Sequence, residues 1–224
     1  MHPLHPIKVA IVAWTGMDLT DFTGPLEALS HAKNVKGERF YDTTIVADCE
    51  VSSTSQNVRI ARDIDVAAFV STAEKFDILI VPGGGGFTAD HIPPAQGVQE
   101  ILRTFTSLPP RDNQCRKLVS ICAGVFFLAQ TGMLVDRVVT GHYASLGELK
   151  KLCEKHGGSH VVRQHYVDSG LVGGVRVIVS GGITSGFDAT LYLIELQHGV
   201  GVAEKARATM DAHWRREALP FGTF

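Results

Sequence analysis

No run of a single charge sign interrupts this 224-residue chain, in which charged residues make up 20 % and the formal net charge is −2. Nothing in that balance favours nucleic acid or an anionic membrane surface as a partner. The apolar run Ile7 to Trp14 is broken by Lys8 and is too short to span a bilayer. Met1 to Pro6 lacks the basic start of a secretory leader. The four cysteines, Cys49, Cys115, Cys122 and Cys153, include no CxxC pair and no spacing typical of a disulfide framework. Together these absences predict free thiols and a cytoplasmic setting. No tandem repeat is evident.

What is present suits one domain over residues 1–224, because single α/β domains often reach about 200–250 residues. Hydrophobic residues reach 45 %, enough for a sizeable core. Short β-rich runs occur at Ile7–Trp14, Thr43–Ala47, Ile78–Val81, Leu118–Ile121, Val138–Thr140 and Val175–Val179. Most are continuously apolar, as central strands of a parallel sheet are. Helical patterns lie between them at Pro25–Ala32, Gly97–Phe105, Gly124–Gln130, Ala144–His156 and Asp188–His198. The alternation predicts an α/β fold with a doubly wound, mostly parallel sheet flanked by helices. Residues 200–224 are expected to form a C-terminal arm of the same domain, and 217–224 have no clear period.

Four segments carry chemistry. In Lys117 to Gln130 an apolar strand ends at Ile121, followed by Cys122, two small residues and a helix. This is the sequence form of a nucleophile elbow. It would hold the sulfur at the carboxyl end of the sheet and near a helix N-terminus, which favours the thiolate. A buried structural cysteine is the competing reading. In Phe76 to Gly86 a strand runs into four glycines, beginning Gly83-Gly84. Their amides suit half of an oxyanion hole. A phosphate loop fits less well, since no Lys-Ser/Thr follows and GxGxxG is incomplete. In Met17 to Glu27, Asp18, Asp21 and Glu27 follow the first strand, and each serves either as a general acid or as a helix cap. Val179 to Asp188, which includes Thr184, suits either a pocket lining or a close-packed turn.

Cys153, His156, His160 and His165 do not form a metal motif, because Gly157-Gly158 interrupts any shared helical face. No metal and no cofactor are expected. His142, after Thr140-Gly141, is a site candidate, with a buried or capping histidine as the alternative.

Asp21-Phe-Thr-Gly-Pro25, Ile80-Val-Pro-Gly-Gly84, Ser120-Ile-Cys-Ala-Gly124, Thr140-Gly-His142 and Ser180 to Asp188 occur in one order. Together they resemble the ThiJ/PfpI superfamily, with its flavodoxin-like, class I glutamine amidotransferase-like fold, and within it the isocyanide (isonitrile) hydratase branch. The resemblance implies Cys122 as nucleophile and Asp21 as the acid beside it. It implies that the backbone N–H groups of Gly84 and Ala123 face the reacting carbon's substituent. His142, Gly83 and Thr184 become pocket residues. Ala123 stands where superfamily proteases place histidine, which argues against a Cys-His peptidase. Extra residues fall around Gly170 to Val177, where the resemblance leads one to expect a shorter turn.

The implied reaction adds water to an isocyanide through a Cys122 thioimidate to give an N-substituted formamide. The rivals are a glyoxalase-type hydratase of 2-oxoaldehydes and a cysteine redox or ligand sensor. A ligand-sensing regulator would need a helix-turn-helix module, for which the residues after Gly199 are too few. The expected partners are a small-molecule substrate and a second copy in a homodimer, with no nucleic acid and no membrane.

Overall fold

The computed structural model describes residues 6–111 and 114–216. The strand β1 (Ile7–Ala13) is buried from Val9 onward, which is possible only because both faces of the sheet are covered. It leads into α1 (Leu19–His31), followed by β2 (Tyr41–Ala47), β3 (Val51–Ser53), β4 (Arg59–Ala61), α2 (Val66–Thr72) and β5 (Ile78–Val81). Then come α3 (Gln96–Thr106), β6 (Lys117–Ser120), α4 (Val125–Gln130), β7 (Val138–Val139), α5 (Leu146–Lys155) and β8 (His160–Val161). The chain closes with β9 (Tyr166–Val172), β10 (Val175–Ser180), α6 (Ser185–His198) and α7 (Val200–Thr209).

Six strands form the main sheet in the order β2-β1-β5-β6-β10-β9. All neighbours are parallel except β9 and β10, which form an antiparallel hairpin at one edge. This is the α/β sheet read from the alternating pattern, in the flavodoxin-like form that the family resemblance implies. Register decides where the chemistry sits. Val81 pairs with Ser120, and Ser120 with Val179, so β5, β6 and β10 end at one level. The turns after them, at Pro82-Gly83, Ile121-Cys122 and Gly181-Gly182, therefore emerge side by side. The carboxyl ends of an open parallel sheet are where such folds place ligands.

Several local expectations change. The helix expected from Pro25 runs instead from Leu19, with Asp18 as its N-cap accepting from the N–H groups of Thr20 and Asp21. Pro25 lies inside it and lacks the N–H that Asp21's carbonyl would otherwise receive. Packing compensates: Pro25 is buried, and a Cβ on Gly24 would lie 3.4 Å from the Phe187 ring of α6. β7 does not join the main sheet and pairs with β8 alone. The sequence does not mark β9 as a strand, because Tyr166-Val-Asp-Ser-Gly-Leu-Val carries polar residues in its middle. Those polar groups find partners, with Asp168 bound by Arg176 and Tyr192, and Ser169 donating to the Val138 carbonyl at 2.7 Å. The extra residues around Gly170 to Val177 are this hairpin.

The expected arm begins as a helix, α7, whose Ala203 and Ala206 are buried. Residues 217–224 lie outside the described residues. Among the described residues no helix is long and apolar enough to cross a membrane.

Candidate active site

The turn after β6 carries Cys122 at φ 59°, a left-handed conformation that costs a non-glycine residue about 1–3 kcal/mol. The turn is over-determined by its neighbours. The Cys122 N–H donates to the Gly181 carbonyl at 3.1 Å, and Gly124 N–H to Ile121 at 2.9 Å. Gly83 presses on it from the β5 turn, where a Cβ would sit 2.5 Å from the Ala123 nitrogen. The elbow read from Cys122-Ala123-Gly124 is thus present, opening as a 3-10 turn before α4.

Asp21, in the first turn of α1, is completely buried beside this cysteine. Its Oδ1 accepts from the Ile183 N–H at 3.0 Å. The Cys122 thiol and the Gly83 N–H also lie within reach and stabilise the ionised carboxyl. Neither contact has full hydrogen-bond geometry at Oδ2, which is buried and otherwise unpartnered among the described residues. Burial, with a smaller contribution from the nearby Asp18 carboxylate, outweighs these donors and pushes the Asp21 carboxyl up to about 7. The same burial pushes the Cys122 thiol well above its ordinary range, and the Asp21 carboxylate adds to the shift, while the Ala123 N–H opposes it. The helix-terminal field expected to favour the thiolate is therefore outweighed by desolvation. Cys122 and Asp21 are best regarded as one buried pair that shares protons.

The other two carboxylates have different duties. Asp18 is the helix cap and also accepts from Gln56 at 2.6 Å. Glu27 points outward, 60 % exposed, and meets His31 at 2.8 Å.

The glycine loop is held from several sides. Gly83 accepts from the Asp18 N–H at 2.9 Å, and Trp14 Nε1 donates to the Pro82 carbonyl at 3.1 Å. Gly84 lies further along, and a Cβ there would meet the Gly16 carbonyl at 2.4 Å and Trp14 at 2.9 Å. Gly83 is thus the glycine packed on the Cys122 turn, and Gly84 is packed against the β1–α1 connection.

A cavity of about 570 Å³ opens beside the pair, lined by Gly141, His142, Gly181, Ile183, Thr184 and Arg215 among others. Cys122 is 6 % exposed and lies just beneath this lining. The backbones bordering it touch the cavity wall: Gly181 through its carbonyl, and Gly141, whose Cβ position is 3.2 Å from the Cys122 carbonyl. His142 Nδ1 accepts from the Ala144 N–H at 3.3 Å, so His142 caps the short turn Tyr143–Ser145. Its ring covers Gly182 so closely that a Cβ there would come within 2.3 Å. Thr184, at the rim, accepts from Arg215 at 3.3 Å. Arg215 is anchored on the buried carboxylate of Asp188 at the start of α6.

Sequence reasoning missed Ile183. Its φ of 52° is unusual for a β-branched residue, and it turns the N–H onto Asp21. Gly181-Gly182 before it signalled a tight turn but not its target. Trp14 was read only as the end of a strand. Among the described residues no group of three or more His, Cys, Asp or Glu is placed to hold a metal. All four cysteines are free thiols, and Cys49 is the exposed one.

A strained cysteine at the carboxyl edge of a parallel sheet, beside a buried acid, marks a flavodoxin-like domain with a sharp strand-to-helix turn at its centre. The chain belongs to the DJ-1/PfpI family, whose profile matches residues 7–196. It is 22 % identical over 205 residues to an isonitrile hydratase of Pseudomonas putida, covering 92 % of this chain and 78 % of that protein. It is 26 % identical over 154 residues to the glutathione-independent glyoxalase DJ-1 of Schizosaccharomyces pombe, covering 65 % of this chain and 72 % of that one. The crystal structure of Drosophila melanogaster DJ-1beta superposes with a TM-score of 0.71 at 19 % identity, over 94 % of this chain and 100 % of that one, which supports the fold.

Proposed function

We propose that this protein is a cysteine-dependent hydratase that adds water to an isocyanide, with Cys122 as nucleophile and Asp21 as general acid. The observation that carries the reading is the buried pair, in which the Asp21 carboxyl is raised to about 7 beside a thiol that cannot ionise freely. Moving one proton from sulfur to an ionised Asp21 creates the nucleophile and the acid together without changing the pair's net charge. A buried site permits that exchange more readily than a net ionisation.

The steps balance. The Cys122 thiolate attacks the terminal carbon of R–NC, forming the S–C bond, and Asp21 gives its proton to that carbon. The product is the thioimidate R–N=CH–S–Cys122. Water then adds to the carbon, one of its protons going to the nitrogen and the other to Asp21. Collapse of this adduct breaks the C–S bond and releases the Cys122 thiolate beside protonated Asp21, the pair that began the cycle. The sum is R–NC plus water giving R–NH–CHO, with cysteine and aspartic acid restored. The Ala123 N–H, which acts on the sulfur, stabilises the thiolate before attack. In this reading water is the only co-reactant, and the protein works as a homodimer in the cytoplasm.

The test is formamide production from an aryl isocyanide. Wild type should turn over, and Cys122→Ala should not. The second reading, hydration of a 2-oxoaldehyde to a 2-hydroxy acid, is favoured by the likeness to the fission-yeast glyoxalase. Lactate from methylglyoxal, without formamide from any isocyanide, would select it.

A further inference from the structure

The wall of the cavity above Cys122 carries Arg163, His142 and His165, and no Asp or Glu among the described residues. Arg215, also in the wall, is neutralised by Asp188 beneath it at 2.6 Å. Arg163 has no such counter-charge among the described residues. It lies in the connection between β8 and β9, its guanidinium is 5.8 Å from the centre of the Tyr143 ring, and no carboxylate among the described residues forms a salt bridge with it. An exposed arginine beside an aromatic ring, on a cavity wall without acids, offers its guanidinium fork to a carboxylate. Thr184 adds a hydroxyl at the same rim.

The cavity is also joined to the chemistry. Ile183 lies in its wall and holds Asp21, and Gly181 lies in its wall and holds the Cys122 N–H. A ligand bound there would lie against the backbone of the two turns that hold the pair, within the same wall as Arg163. The volume of about 570 Å³ suits a small organic acid.

We propose that the Arg163 side of this cavity is a carboxylate subsite, and that the substrate is a small isocyanide carrying an anionic substituent. The isocyanide part rests on the hydratase reading; the charge preference does not.

The experiment compares two non-reacting formamides, N-formylglycine and its uncharged isostere N-formylglycinamide, by calorimetric or NMR titration of the wild-type protein at low salt. N-formylglycine should bind about tenfold more tightly or better, the range expected for a charge-assisted hydrogen bond. Arg163→Gln should erase that difference, and Arg163→Lys should retain part of it. Cys122→Ala should leave it unchanged. Equal binding of the two probes by wild type, or an undiminished preference in Arg163→Gln, overturns the proposal. If no isocyanide is hydrated yet the preference for N-formylglycine stands and depends on Arg163, the hydratase reading fails and the carboxylate subsite holds.

Discussion

Ile183 and Asp21, 162 residues apart in sequence, meet through a 3.0 Å hydrogen bond that Ile183 makes from a left-handed backbone, at φ 52°. Cys122, also beside the carboxyl, is left-handed as well, at φ 59°. The buried acid is thus flanked by two strained residues, each stabilised by the surrounding turns. Strain of this kind persists where a geometry is over-determined, and it commonly gathers at functional sites.

Ile183→Gly should therefore keep activity within about threefold, because glycine accepts the same backbone without losing the N–H. Ile183→Pro should lower turnover by about a hundredfold or more, since proline removes the donor and cannot adopt positive φ. Steady-state kinetics on the two variants, with circular dichroism as a fold check, decides the point. Equal activity in both would mean that the Ile183 N–H does not matter to Asp21.

Asp21 weakens the fold above neutral pH. Its carboxyl rises from an ordinary 3.8 to about 7 on burial, so the folded state holds a proton that the unfolded chain has already lost. The contribution is fully present below 3.8 and is lost as pH rises through about 7. Asp21→Asn, which cannot ionise, should be more stable than wild type at pH 8 by on the order of 3 kcal/mol. The gap should close as the pH falls towards 4, and the variant should have no turnover. Denaturant melts at both pH values measure this. Glu27→Gln, at an exposed position, should change neither stability nor rate appreciably.

The shared proton also sets a pH profile. Below about 7 the pair holds both protons, and no thiolate is available. As one proton leaves, the thiolate–acid arrangement becomes accessible, so kcat/KM should rise through an apparent value near 7 and then level off. Limiting iodoacetamide at neutral pH should label the exposed Cys49 before the buried Cys122, the reverse of what a helix N-terminus alone would suggest. Asp21→Asn should speed alkylation of Cys122 at pH 9, because it removes the negative charge that opposes the thiolate. Slower alkylation in that variant would rule out this electrostatic account.

Gly83→Ala tests the packing of the elbow. The added methyl would fall 2.5 Å from the Ala123 nitrogen and 2.7 Å from the Ile121 carbonyl, all backbone atoms that have no room to give. The variant should lose about 2 kcal/mol or more of stability, and its activity should fall at least tenfold. Gly85→Ala, where a Cβ meets nothing within 4 Å, is the control and should behave as wild type.

By itself the sequence determined most of the sheet and the place of the strained cysteine. Continuous apolar runs such as Ile78–Val81 have one good destination, a strand covered on both faces, and Cys122-Ala123-Gly124 after such a run permits one sharp turn. Both signals are local, so they survive without knowledge of the rest of the chain. Helix boundaries were less legible where tertiary contacts overrode local preference: Gly24-Pro25 reads as a break, yet α1 continues through it because Pro25 is buried and Gly24 lies against Phe187. The hairpin β9–β10 was hidden for a related reason, since Asp168 and Ser169 look like loop residues until Arg176, Tyr192 and Val138 satisfy them. Only the tertiary structure decided the electrostatics. Which of three nearby carboxylates is buried, which backbone N–H reaches it, and whether desolvation or the helix terminus controls the thiol all depend on strand register and on groups far apart in the chain. Charge in a low-dielectric interior is governed by those distances and by burial, and residue order carries neither.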